Sequence, residues 1–112
     1  MSKKVVIDAC VSLKWRFKDE DQIDNALYLL SDFLDGKIDL LAPVLWIYEI
    51  TNALRTAVIR KRINLKQAQN DLKHFLQTGV QLLPPDIERF DSILSSAVAH
   101  QISVYDMTYI EL

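Results

Sequence analysis

Asp8, Glu49 and Asp106 lie far apart in the chain, yet each stands beside or within an apolar run. Asp8 follows Val5-Val6-Ile7, Glu49 falls within Val44–Leu54, and Asp106 follows Val104-Tyr105. A fold that gathers them builds an acidic pit. Two like charges a few Å apart repel by about 3–4 kcal/mol at an effective dielectric of about 20. Three such pairs sum to roughly 10 kcal/mol, comparable with a whole-domain stability of about 5–15 kcal/mol. Either one carboxyl keeps its proton or a divalent cation occupies the pit. All-oxygen donors suit Mg²⁺ or Mn²⁺, which orient water and a phosphate for in-line displacement at a phosphodiester. Each acid also has a plain structural role open to it. An Asp after a strand is often a turn residue or a helix cap, and Glu49 alone fits an exposed helix position.

The elements that must position these groups follow from hydrophobic spacing. Val5-Val6-Ile7 predicts a strand buried on both faces of a parallel sheet. Ile23, Leu27, Leu30 and Leu34 form one stripe at helical period and predict a helix from about Asp21 to Asp35, stopped by Gly36. Leu40-Leu41-Ala42 predicts a second strand, with Pro43 starting the next helix, where its missing N–H costs nothing. That helix presents Ile47, Ile50, Leu54 and Ala57 as its buried stripe. Asn64 and Gln67 have the spacing of a capping box, opening a helix with Leu65, Ala68, Leu72, Phe75 and Leu76 on its apolar face. Val80–Leu83 is a third strand candidate. A helix from about Asp86 to His100 then turns Ile87, Phe90, Leu94, Ala97 and Val98 toward a core. Ser103-Val104-Tyr105 reads as a fourth strand, with Asp106 capping a final helical turn.

Strands alternating with helices predict an α/β domain with a mainly parallel sheet and helices on both faces. In such sheets ligands bind beyond the carboxyl ends of the strands. Asp8 and Asp106 both follow predicted strands, so both are expected in that crevice. Glu49 comes about two turns into its helix, and Asn52, three residues on, shares its face.

Composition narrows the setting. At 112 residues the whole chain, 1–112, reads as a single domain with one core. Thirteen Lys plus Arg against fifteen Asp plus Glu leave a net charge of −2, so no global field draws nucleic acid or anionic membrane. A polyanion needs a local patch. No apolar stretch approaches the roughly 20 residues that span a bilayer. Lys3-Lys4 ahead of an apolar run superficially suggests a signal peptide, but Asp8 interrupts that run. The lone Cys10 excludes an intramolecular disulfide and suits a reducing compartment, so a cytoplasmic protein is expected.

The local words carry a resemblance. Val6-Ile7-Asp8-Ala9-Cys10-Val11-Ser12-Leu13-Lys14-Trp15 resembles the opening of PIN-domain ribonucleases, above all the VapC-like toxins of VapBC-type toxin–antitoxin pairs. Ala42-Pro43-Val44-Leu45 through Tyr48-Glu49-Ile50-Thr51-Asn52-Ala53-Leu54 is similar to their second acidic motif. Ala99 to Tyr109, with Ser103-Val104-Tyr105-Asp106, is similar to their third. Each motif is short; the three in order, across essentially the whole chain, are much more specific. The resemblance implies a PIN-like three-layer α/β/α domain whose catalytic, metal-holding carboxylates are Asp8, Glu49 and Asp106, with Asn52 as a polar neighbour. It implies Mg²⁺- or Mn²⁺-dependent endonucleolytic cleavage of RNA, and a cognate antitoxin that blocks the crevice.

Two departures qualify that implication. The family often carries a hydroxyl residue two positions after the first Asp, where this chain has Cys10. The family's domain also continues into a fifth strand with another acid in a Thr-x-Asp-like motif. This sequence stops at Leu112, so about four strands are expected here, with the fifth and one ligand absent. Self-association as a homodimer or higher assembly would then cover an open sheet edge. The alternative is a catalytically incomplete PIN-like module that binds an antitoxin or another PIN subunit without cleaving RNA. An aspartate-nucleophile phosphoryl-transfer protein fits Asp8 but lacks a second acid two residues on.

Other features are weighed the same way. Arg55, Arg60, Lys61, Arg62 and Lys66 form a basic segment free of acids, suited to RNA phosphates or an acidic partner segment, and equally to a solvated helix end. Arg55 and Asn52 are the candidate substrate contacts. Asp19, Glu20, Asp21 and Asp24 gather at a helix start, where negative charge is favourable. Trp15, Phe17 and Trp46 suit core packing better than base stacking. Cys10 reads as a small packed residue, and His74 and His100 as helix-surface residues, with no zinc-type spacing. Gly36 and Gly79 are the only glycines, which excludes a phosphate-binding loop.

Overall fold

The computed structural model describes residues 3–17 and 23–112. Strand β1 (Lys3–Val6) leads into the short helix α1 (Ala9–Leu13); α2 (Ile23–Leu34) then leads to β2 (Ile38–Pro43). Helices α3 (Leu45–Ile59) and α4 (Leu65–Gln77) form a hairpin before β3 (Gln81–Leu83). A 3₁₀ turn at Ile87–Arg89 leads into α5 (Phe90–His100), and α6 (Val104–Ile110) follows. The start of the helix expected at Asp21, and the acidic residues Asp19 to Asp21, lie outside the described residues.

The α/β class and the parallel sheet are as expected. Among the described residues the sheet has three strands in the order β1-β2-β3, parallel throughout. β1 pairs with β2 from Lys3↔Ile38 to Val6↔Leu41, and β2 with β3 from Leu41↔Gln81 to Pro43↔Leu83. Pro43 ends the central strand instead of opening α3. Leu41 accepts from Ile7 N at 2.9 Å on the β1 side, so the missing donor of Pro43 faces that same side, beyond the end of β1. β1 is an edge strand with Val6 40% exposed, so the expected burial on both faces is not met there.

The larger correction concerns the fourth strand. Ser103-Val104-Tyr105 is not a strand: Val104 and Tyr105 open α6, and Ser103 caps it by accepting from Asp106 N at 3.0 Å. Gln101 adopts the left-handed conformation (φ 55°) and Ile102 N donates to Ala97 O, closing α5. Three residues remain between the two helices, and they are taken up by closing α5 and capping α6. The β-branched Val104 is held by a cap and by packing, which outweigh its strand propensity. Asp106 accordingly occupies the first turn of α6, and Ser103, not Asp106, is the cap.

Two apolar cores result. The main one gathers Ile7, Trp15, Ala26, Leu40, Ala42, Trp46, Ile50, Leu54, Ala68 and Phe75 around the sheet. A smaller one joins Ile93 and Ala97 of α5 to Met107 of α6, with Ile102 against them. Trp15 and Trp46 are core residues stacked on and edged against Phe75, as packing predicts. On α5 the buried stripe is Ile93 and Ala97; Ile87, Phe90, Leu94 and Val98 face outward, contrary to expectation. Cys10 is also exposed, not packed. Among the described residues no helix is long and apolar enough to cross a membrane.

Candidate acidic site

The site is built from the first turn of α1. Asp8 leaves β1 one residue after Ile7 and caps α1, its Oδ1 accepting from Val11 N at 2.9 Å. The Ser12 hydroxyl donates to the Asp8 carbonyl at 2.9 Å and accepts from the buried indole Trp46 Nε1, also at 2.9 Å. That relay joins α1 to α3. Glu49 lies three residues after Trp46, on the same side of α3, and is carried toward Asp8.

Tyr109 of α6 closes the arrangement. Its hydroxyl donates to Glu49 Oε1 at 2.6 Å, at the short end for O–H···O bonds and within the range of charge-assisted ones. Burial, the hydrogen bond to Glu49 and the negative charges of Glu49 and Asp8 push the Tyr109 hydroxyl pKa far above its ordinary value; the Ala9 amide acts in the opposite sense. Tyr109 therefore remains a proton donor, and Asp8 and Glu49 both bear on its oxygen. Asp8 and Tyr109 are also the polar members of an open pocket of about 280 Å³ lined otherwise by Val6, Ile7, Val11, Leu29 and Ile110.

Tyr109 thus links two of the three expected carboxylates, donating to Glu49 and lining the same pocket as Asp8. Asp106 lies one turn before Tyr109 on α6 and is exposed. Among the described residues no group of three or more His, Cys, Asp or Glu side chains is placed to hold one metal ion. The three-acid constellation is not assembled in this geometry. Like-charge repulsion favours such a spread, and Tyr109 occupies one Glu49 oxygen. The donor chemistry of the Asp8–Glu49 pair nevertheless fits Mg²⁺ or Mn²⁺, since Mg²⁺ commonly takes one or two carboxylates and keeps water or phosphate oxygens for the rest.

The remaining candidates divide. Asn52 is exposed on α3, one turn beyond Glu49. Arg55 lines an apolar groove between α3 and α4 rather than the pocket that contains Asp8. Arg62 lies over the Phe17 ring at 4.9 Å, and Arg16 reaches the buried Asp71 at 2.8 Å, so part of the basic surface has structural work. Tyr109 is the site residue that motif reading missed. Its signal was the three-residue spacing from Asp106, which puts both on one helix face. No protein-family model matches the chain, and no curated protein matches it.

Proposed function

We propose that the chain is a PIN-like, VapC-like endoribonuclease whose site is centred on Asp8 and Glu49, with Asp106 at its rim. The observation that carries this reading is Tyr109, which donates its hydroxyl to Glu49 and lines the same pocket as Asp8, 41 positions before Glu49 by number. The resemblance of the three acidic motifs supports it, as does the position of Asp8 beyond the carboxyl end of a parallel strand. Asp8 and Glu49 would hold Mg²⁺ or Mn²⁺, with Asp106 at the rim one turn before Tyr109. A bound cation supplies Lewis acidity at the phosphate and activates water at neutral pH. Tyr109 holds a proton at Glu49 Oε1, and Asn52, exposed one turn beyond Glu49, would contact a ribose or phosphate oxygen. On this reading the partners are RNA and an antitoxin covering the pocket, in a reducing cytoplasm compatible with the free Cys10 thiol.

The test is cleavage of a labelled RNA with Mn²⁺ or Mg²⁺ by the wild type and by Asp8→Asn. Asn still caps a helix, so the fold is retained while the ligand charge is lost. Even the outer partners of metal ligands cost about 10–100-fold on mutation, so activity is expected to fall by about 100-fold or more. Equal activity in the two proteins rejects the site. A second reading, a non-cleaving module that binds an antitoxin or another PIN subunit, is favoured by the commitment of Glu49 to Tyr109 and by the position of Asp106. It predicts stable partner binding with no chelator-sensitive cleavage.

A further inference from the structure

Tyr109 is the point at which α6 reaches the acidic site. Its hydroxyl donates to Glu49 Oε1 at 2.6 Å, and the Ala9 backbone amide, next to Asp8, hydrogen-bonds the same hydroxyl oxygen. The amide engages the oxygen, so the single hydroxyl proton is directed at Glu49. That proton puts positive charge where a cation at Glu49 Oε1 would put its own, and the two repel. Asp106, one turn earlier on α6, is exposed, and among the described residues no three-acid group forms while the bond is made.

The helix that carries Tyr109 belongs to a small unit. Ile93, Ala97 and Met107 join α5 to α6, and Arg89 Nη1, at the start of α5, donates to Glu111 O just past the end of α6 at 2.7 Å. The pair therefore holds together internally. Its attachment to the rest includes Tyr109, which packs on the sheet-centred core, and Ile110, which lines the pocket with Val6 and Leu29. Few apolar contacts secure such a unit, and elements of that kind open at low free energy.

We propose that Tyr109 is a latch: it competes with a divalent cation for Glu49, so that docking of α6 weakens metal binding and metal binding releases α6. The inference rests on the metal-site reading above and adds its regulation. A ligand shifts two states only by its differential affinity for them, and here the difference is one charge-assisted hydrogen bond. The coupling is reciprocal. Whatever holds α6 down lowers cation affinity, and a saturating cation loosens α6 by the same factor.

Two measurements test it: calorimetric titration of Mn²⁺ into the wild type, Tyr109→Phe and Asp8→Asn, and hydrogen exchange of the wild type with and without saturating Mg²⁺. Phe keeps the ring that packs on the core and loses only the hydroxyl; Tyr109→Leu replaces it if circular dichroism shows a loss of fold. Tyr109→Phe is expected to bind Mn²⁺ about tenfold more tightly, the order of effect expected from removing one hydrogen bond to a charged group. Amides of α5 and α6 are expected to exchange faster with Mg²⁺, while those of β2 do not. Weaker binding by Tyr109→Phe, or slower α6 exchange with Mg²⁺, overturns the latch and makes Tyr109 a residue that orients Glu49 for the metal. Equal affinity in the two proteins also overturns it. Saturable wild-type binding that Asp8→Asn abolishes upholds the metal site in each of these cases, whereas no saturable binding by any protein rejects the metal reading and the latch with it.

Discussion

Tyr109 is both the junction of the acidic site and its most strongly perturbed proton. Its hydroxyl pKa is raised in the folded protein by burial and by Glu49 and Asp8, whereas an unfolded tyrosine ionises at about 10. As pH rises past that value the unfolded chain loses this proton first, so the unfolded state binds fewer protons and stability declines. Below it the contribution is fully present. Tyr109→Phe removes the group, so the wild-type advantage over the variant is expected to be constant near pH 8 and to shrink between about pH 10 and 11. Thermal melts of both proteins across that range measure it, and a difference that does not vary with pH refutes the assignment. At this scale the sequence was partly legible. The position of Asp8 after a strand and of Glu49 within a helix was legible because each follows from the apolar run around it. Tyr109 was not, because its spacing from Asp106 gives a shared helix face but not its partner on another helix.

Elements are held to one another by a few directional contacts, and the α1–α3 junction is the clearest. Trp46 Nε1 is a buried donor whose acceptor is the Ser12 hydroxyl, itself fully buried. Ser12→Ala leaves that donor without its acceptor, at an expected cost of about 1–3 kcal/mol. Urea unfolding followed by tryptophan fluorescence should show the midpoint falling without a change in slope; an unchanged midpoint denies the bond a role. The same scale shows which local signals survive. Asn64 accepts from Gln67 N at 2.7 Å where a helix start was expected. Gly36, at φ 75°, ends α2 with Gly36 N donating to Phe33 O and Lys37 N to Asp32 O. Such signals depend only on neighbours in sequence. The orientation of α5 does not: two adjacent apolar stripes were available, and packing against Met107 of α6 selected Ile93 and Ala97. Val104 likewise joined a helix because Ser103 could cap it.

At the scale of the molecule the separation of the two cores matters most. The Cα radius of gyration is 15.1 Å, against ~13 Å for an ordinary compact domain of this length. The shared core of α5 and α6 is Ile93, Ala97 and Met107, while the sheet-centred core draws on every earlier helix. The link between the two regions includes the Tyr109–Glu49 bond and the packing of Tyr109 on the main core. Opening free energies vary with the apolar contacts an element would lose. Amides of α5 are therefore expected to exchange at a lower opening free energy than those of β2 and the buried face of α3, in native-state hydrogen exchange at low protein concentration. Uniform protection across both regions at high dilution would show that α5 and α6 open only with the whole molecule, making the second core an inseparable part of the first.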